Sequence, residues 1–178
     1  MPRLEKMETS SLEVQIGPLL RLRGLKLAVA ESCTGGLVGN RITDVAGSSD
    51  YYLGSVTAYA YEAKRFLLKV NPDSLLKYGA VSREIAIEMA QGVRRAFAGA
   101  EIPLEQVIGI SVTGIAGPGG GLPGKPVGLV WIGLSAPDGD WAWKFLWESD
   151  RVGNKQLSAG RALRLLHDYL TANLPPED

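Results

Sequence analysis

The chain has 178 residues, 46% of them hydrophobic, and its 19 Lys plus Arg are balanced by 19 Asp plus Glu. That length suits one ordinary domain able to bury a core without disulfide or metal, and the charge balance removes the electrostatic footprint needed by a binder of duplex nucleic acid or of an acidic membrane. Cys33 is the single cysteine and has no internal partner, and no apolar run approaches the ~20 residues of a membrane helix. Residues 1–9 are charged where a signal peptide would be apolar. The expectation is a cytoplasmic protein with a disordered tail at 1–9 and a single domain at 10–174.

Ser10 with Glu13 reads as a capping box, and Leu12, Ile16, Leu19 and Leu20 recur at helical spacing, predicting a first helix of about three turns. Residues 26–30 predict a short buried strand. Ala-Glu-Ser-Cys-Thr-Gly-Gly at 30–36 then reads as a strand-to-helix turn launching a helix over 37–42. Residues 53–59, with β-branched and aromatic content, predict a second strand, residues 62–68 a short helix, and Asn71-Pro72-Asp73 a break. Ser82 caps the strongest helical pattern, in which Ile85, Met89, Val93 and Phe97 fall one turn apart. A Val/Ile strand over 106–112 runs into a loop at 113–126 dense in glycine and proline. Residues 127–134 and 141–147 predict an antiparallel hairpin turning at 137–140, with Trp141, Trp143, Phe145 and Trp147 on one face as core or dimer surface. A last helix over 152–170 stops before Pro175-Pro176. This alternation predicts an α/β protein, a three-layer α/β/α sandwich with a mixed, mostly parallel sheet. Ligands of such sheets gather at the carboxyl ends of the strands, where the predicted strands lead into Ser32, Lys64 and Thr113-Gly114.

Three stretches could carry chemistry. Gly119 through Gly124-Lys125 fits half of a Walker A loop, but Pro126 stands where the Ser/Thr metal ligand belongs and a β-run follows in place of a helix, so a nucleoside-triphosphate site is disfavoured. The preferred reading makes Thr113-Gly114 a wall of the site and residues 117–124 an adaptable rim or a subunit contact. Ser32 is either a helix cap or a nucleophile. Thr34 can cap equally well, and Gly35 and Gly36 let a substrate approach backbone N–H groups at the helix start. The lone histidine, His167, lies within the terminal helix, so a Ser-His-Asp triad is poorly supported. A desolvated lysine can replace it as base. Lys64 is best placed for that, with Tyr59, Tyr61 and Phe66 as apolar surroundings, against the plainer reading of an exposed helix lysine and the opposing effect of a Glu62 pairing. One His and one Cys cannot build a usual metal site, so neither metal nor cofactor is expected.

Four motifs taken together, residues 30–36, Tyr59 to Lys64 with its Glu-Ala-Lys ending, Gly79-Ala-Val-Ser82, and Val112-Thr-Gly-Ile-Ala-Gly-Pro-Gly-Gly-Gly121 with Lys125-Pro-Val-Gly128, resemble the C-terminal domain of the CinA family and its stand-alone nicotinamide mononucleotide amidohydrolase relatives. The resemblance implies hydrolysis of nicotinamide mononucleotide to nicotinate mononucleotide and ammonia. It implies Ser32 as nucleophile, Lys64 as general base, Tyr59 as a hydroxyl partner, Thr113 as a wall residue near the attacked carboxamide and Arg151 as a cation serving the substrate; Thr34, Gly35, Gly36 and Gly114, from the reading of the turn and the loop, complete the expected substrate-binding set. A small-molecule nucleotide, no nucleic acid and no membrane are the expected partners, in a homo-oligomer. Tyr61 stands where relatives often carry Asn, which leaves a non-catalytic nucleotide-binding module as the alternative.

Overall fold

The periodicities resolve into alternating strands and helices in a computed structural model that describes residues 10–177. In chain order these are α1 (Leu12–Arg23), β1 (Lys26–Glu31), α2 (Leu37–Thr43), β2 (Tyr52–Thr57), α3 (Tyr61–Leu68), α4 (Pro72–Tyr78), α5 (Arg83–Phe97), β3 (Val107–Gly114), β4 (Leu129–Ala136), β5 (Gly139–Leu146) and α6 (Arg151–Leu170). The sheet order is β2-β1-β3-β4-β5. Strand β1 pairs in parallel with β2 and β3, while β4 pairs antiparallel with both β3 and β5. Only β4 therefore opposes the common direction, which makes the sheet mixed and mostly parallel, as expected.

Side chains alternate across a strand, and this sorts the core into two halves. Leu27, Val29, Ile108 and Ile110 pack with α1, α2 and α6, whereas Ala28 and Ala30 turn toward Leu68 of α3, Leu75 of α4 and Ile85 and Met89 of α5. Helices thus cover both faces, giving the three layers. The aromatic face of β5 joins the first half: Trp143 is buried, and Trp141, Phe145 and Trp147 pack against it. Among the described residues no helix is long and apolar enough to cross a membrane. The tail expected at 1–9 lies outside the described residues.

Four local expectations are corrected. The N-cap of α1 is Ser11, which makes no side-chain capping bond, so Ser10 and Glu13 form no box; Gln15 instead ties the Ser10 carbonyl at 2.6 Å. Asn71-Pro72-Asp73 opens α4 where a break was expected, because the Asn71 side chain accepts from the Asp73 N–H at 2.8 Å and a proline in the first turn has no needed N–H to lose. Strand β2 ends at Thr57, short of Tyr59. The hairpin turn tightens to Pro137-Asp138, with Ala136 opposite Gly139. Ser82 caps α5 as expected, accepting from Ile85 N–H at 3.4 Å.

Helix α5 lies flush on the sheet because glycines sit beneath it. A Cβ at Gly109 would press into the Ala90 carbonyl, and one at Gly133 into that of Ala86. Ser111, directly opposite Gly133 in register, donates to the Ala86 carbonyl at 2.6 Å. Lifting α5 would disturb the half of the core that carries α3. Gly109→Ala is expected to cost about 1–3 kcal/mol by overpacking, measured as a fall in the urea midpoint; an unchanged midpoint would mean that the helix slides without cost.

Candidate active site

Strand alternation continues past the end of β1 and divides the work of the turn that follows. Glu31, on the α2 side, is fully buried. Its carboxylate accepts from the N–H groups of Gly36 and Val38 at 3.0 Å and of Gly39 at 2.9 Å. Ser32 takes the opposite side, toward α3, and its own N–H is anchored to the Val112 carbonyl of β3 at 2.9 Å. The turn is thus fastened at both ends.

Lys64 meets Ser32 there. It shares the inward stripe of α3 with Leu68, one turn on, and is only 1% exposed. Its Nζ donates to the carbonyls of Ala58 at 2.8 Å and Tyr59 at 3.2 Å, and stands 2.9 Å from Ser32 Oγ. Burial pulls its pKa down to about 8, since the charged form loses its hydration. Glu62 is exposed, and Lys64 makes no ion pair among the described residues. A neutral amine has two N–H groups and one lone pair. The two carbonyls hold the N–H groups, so the lone pair is left for the Ser32 hydroxyl.

The source of that burial differs from the expectation. Tyr59, Tyr61 and Phe66 are more than half exposed, and Phe66 points to solvent, so backbone and neighbouring core enclose the amine where an aromatic box was anticipated. Tyr59 reaches Lys64 through its carbonyl; its hydroxyl accepts instead from Arg151 Nη2 at 3.0 Å. Arg151 Nη1 also donates to the Gly117 carbonyl at 2.6 Å, bracing the glycine loop against the first turn of α6. Asn154, one turn on, holds the Ala116 carbonyl at 3.0 Å.

Between these elements lies a cleft of about 270 Å³, lined by Ser32, Cys33, Lys64, Thr113 and Gly114 among others. Thr113 is fixed as a wall by donating to the Ala80 carbonyl at 2.7 Å. Thr34, Gly35, Gly36 and Arg151 do not line it. The anion site anticipated at the start of α2 is already filled, because Glu31 takes the Gly36 N–H and Gly35 donates to the Ser32 carbonyl at 3.1 Å. Thr34 caps nothing either: its hydroxyl is buried without a partner. The N–H of Cys33 makes no backbone hydrogen bond among the described residues, and Cys33 lines the cleft. Burial pushes the Cys33 thiol up to about 12, so it stays protonated, whereas the Ser32 hydroxyl has Lys64 Nζ 2.9 Å away. His167 sits beside Asp168 in α6, outside the cleft. Among the described residues no group of three or more His, Cys, Asp or Glu could hold a metal.

An open-sheet α/β domain with a buried serine–lysine pair at the carboxyl ends of its parallel strands is the class that the fold and site define. The chain belongs to the CinA C-terminal domain family, whose model matches residues 9–170. It is 48% identical over 153 residues to a CinA-like protein of Salinibacter ruber, covering 86% of this chain and 35% of that protein. A CinA-like protein of Acaryochloris marina is 49% identical over 168 residues, covering 93% and 38%. This chain therefore spans little more than a third of the length of these relatives. A crystal structure of a competence-damaged protein (CinA) superfamily protein from Klebsiella pneumoniae superposes with a TM-score of 0.82 at 30% identity, covering 90% of this chain and 96% of that one. One from Escherichia coli gives 0.81 at 28% identity, covering 89% and 88%.

Proposed function

We propose that this chain hydrolyses the carboxamide of nicotinamide mononucleotide, giving nicotinate mononucleotide and ammonia, with Ser32 as nucleophile and Lys64 as general base. The observation that supports this most is the 2.9 Å approach of a buried lysine, unpaired with acid, to a serine hydroxyl in a cleft. Neutral Lys64 takes the hydroxyl proton as Ser32 Oγ bonds to the carboxamide carbon. The carbonyl electron pair moves to its oxygen, and the Cys33 N–H is the donor available to the oxyanion, an interaction worth about 3 kcal/mol of barrier in other hydrolases. When the intermediate collapses, the C–N bond breaks and Lys64 returns its proton to the departing nitrogen, which leaves as ammonia. Water then attacks the acyl-serine, giving a proton to Lys64, and Ser32 recovers its hydrogen as nicotinate forms.

Ser32→Ala removes the atom that bonds to substrate. Ammonia release is expected to fall by at least about 1,000-fold with the far-UV spectrum unchanged; turnover at the wild-type rate would end the nucleophile assignment. Binding without hydrolysis is the second reading, and Tyr61 favours it: the phenol lines the cleft and takes the Ala80 N–H at 3.4 Å. Calorimetric binding of nicotinamide mononucleotide to the unmodified protein, with no ammonia released, is its signature.

A further inference from the structure

The cleft is charged in one sense. Lys64 and Lys125 line it, and among the described residues no Asp or Glu does. Lys64 is the base, and its donors are already engaged on two carbonyls. Lys125 is different. It rides on the glycine loop, donates to the Tyr78 carbonyl at the cleft's rim and makes no ion pair among the described residues. An ammonium has three N–H donors, so two remain for a ligand. Alongside it, Gly119, Gly120 and Gly121 make no backbone hydrogen bonds through their N–H groups among the described residues, and Gly120 lines the cleft. The loop is held by the Arg151 and Asn154 contacts at its first half and by the paired Leu122 and Lys125 N–H and carbonyl groups, each at 2.8 Å, at its second.

Free backbone N–H groups next to a lysine are the components of a phosphate cradle. Half of the Walker pattern is present here: the glycines and the lysine remain, while Pro126 replaces the metal-binding hydroxyl and β4 follows in place of a helix. Such a loop suits one terminal phosphate better than a metal-bridged triphosphate. We propose that Lys125 is a specificity-determining residue that binds the phosphate of a phosphomonoester substrate, setting the distance between that group and Ser32. This rests on the amidohydrolase reading for the carboxamide end, while the anion end stands on the cleft itself.

The test compares nicotinamide mononucleotide with nicotinamide riboside, which lacks only the phosphate, in wild-type protein, Lys125→Gln and Lys125→Arg. Lys125→Gln is expected to lower kcat/KM for the mononucleotide about 10- to 100-fold more than for the riboside, chiefly through KM, the range that a lost charge-assisted hydrogen bond supports. Lys125→Arg is expected to restore most of it. Equal losses on both substrates would overturn the assignment. If the wild-type protein releases no ammonia from either, the amidohydrolase reading fails on its own, and calorimetry with ribose 5-phosphate decides the inference. Binding by wild-type protein that weakens at least about tenfold in Lys125→Gln upholds it; no binding, or equal binding, overturns it.

Discussion

Replacing Lys64 with methionine is expected to lower ammonia release by about 100- to 10,000-fold, the range carried by a positioned general base. Wild-type kcat/KM is expected to rise about tenfold per pH unit below pH 8 and to level above it, because only the neutral amine accepts the serine proton and burial sets its pKa at about 8. Combining Ser32→Ala with Lys64→Met is expected to cost little more than either alone, since the two act as one unit. The same burial has a thermodynamic sign. From about pH 8 up to the ordinary lysine value of 10.5, the unfolded chain holds a proton that the folded one has released. Stability therefore rises with pH across that window, by about 3 kcal/mol at ~1.4 kcal/mol per pH unit, and below it the penalty is fully present. Lys64→Met abolishes this rise. At neutral pH the methionine is relieved of the penalty but leaves the Ala58 and Tyr59 carbonyls unpaired at about 1–3 kcal/mol each, so its melting temperature there is expected to stay near that of the parent. Urea midpoints between pH 7 and 10.5 check this. A wild-type curve flat across the window, or a pH–rate profile without a limb near 8, would show that the amine is not held neutral by the fold.

The pairing of Ser32 with Lys64 was legible because each residue breaks a local pattern. A serine followed by two glycines interrupts a strand-to-helix turn, and a lysine occupies the position one turn before Leu68 on the inward stripe of α3. The layers and the mixed sheet followed from the alternation of strands with helices and from the short hairpin connection, whereas the order of the strands was not read from the sequence. The cap of α2 was not legible, since serine and threonine are the expected caps and the acid that takes the role stands before them, inside the strand. Only the alternation of β1, which sends Glu31 and Ser32 to opposite layers, separates the cap from the serine that meets Lys64, and that requires knowing where the strand ends. Arg151 was marked as a substrate cation, but its partners, Gly117 and Tyr59, lie 34 and 92 residues away, a separation on which local patterns are silent. Lys125 was set aside with a failed nucleotide motif, and its place in the cleft emerges only when the loop folds back over Tyr78. Helix α4 was missed because Asn-Pro-Asp serves equally as a break and as a start.

Glu31 is expected to be the residue whose loss does most damage to the fold of the site. Its carboxylate receives three N–H groups, those of Val38 and Gly39 buried and that of Gly36 partly so. Glu31→Ala strands all of them, and about 3–5 kcal/mol of stability is expected to go with it, read from urea unfolding. Glu31→Gln is the sharper probe because it keeps shape and burial. One oxygen serves both Gly36 and Val38, and the other serves Gly39. If the amide oxygen keeps the shared pair, its nitrogen faces the Gly39 N–H, donor against donor; turned round, it loses two bonds to keep one. A loss of about 1–3 kcal/mol is expected. Turnover should fall with it, in kcat more than KM, because the turn that aims Ser32 loosens while the Thr113–Ala80 wall stays fixed. Full stability in the glutamine variant would mean that water or backbone adjustment satisfies Gly39 and that the clamp is dispensable. Full stability lost together with unchanged kcat would separate the two roles, leaving Glu31 to hold α2 while Ser32 is aimed by its own bond to Val112.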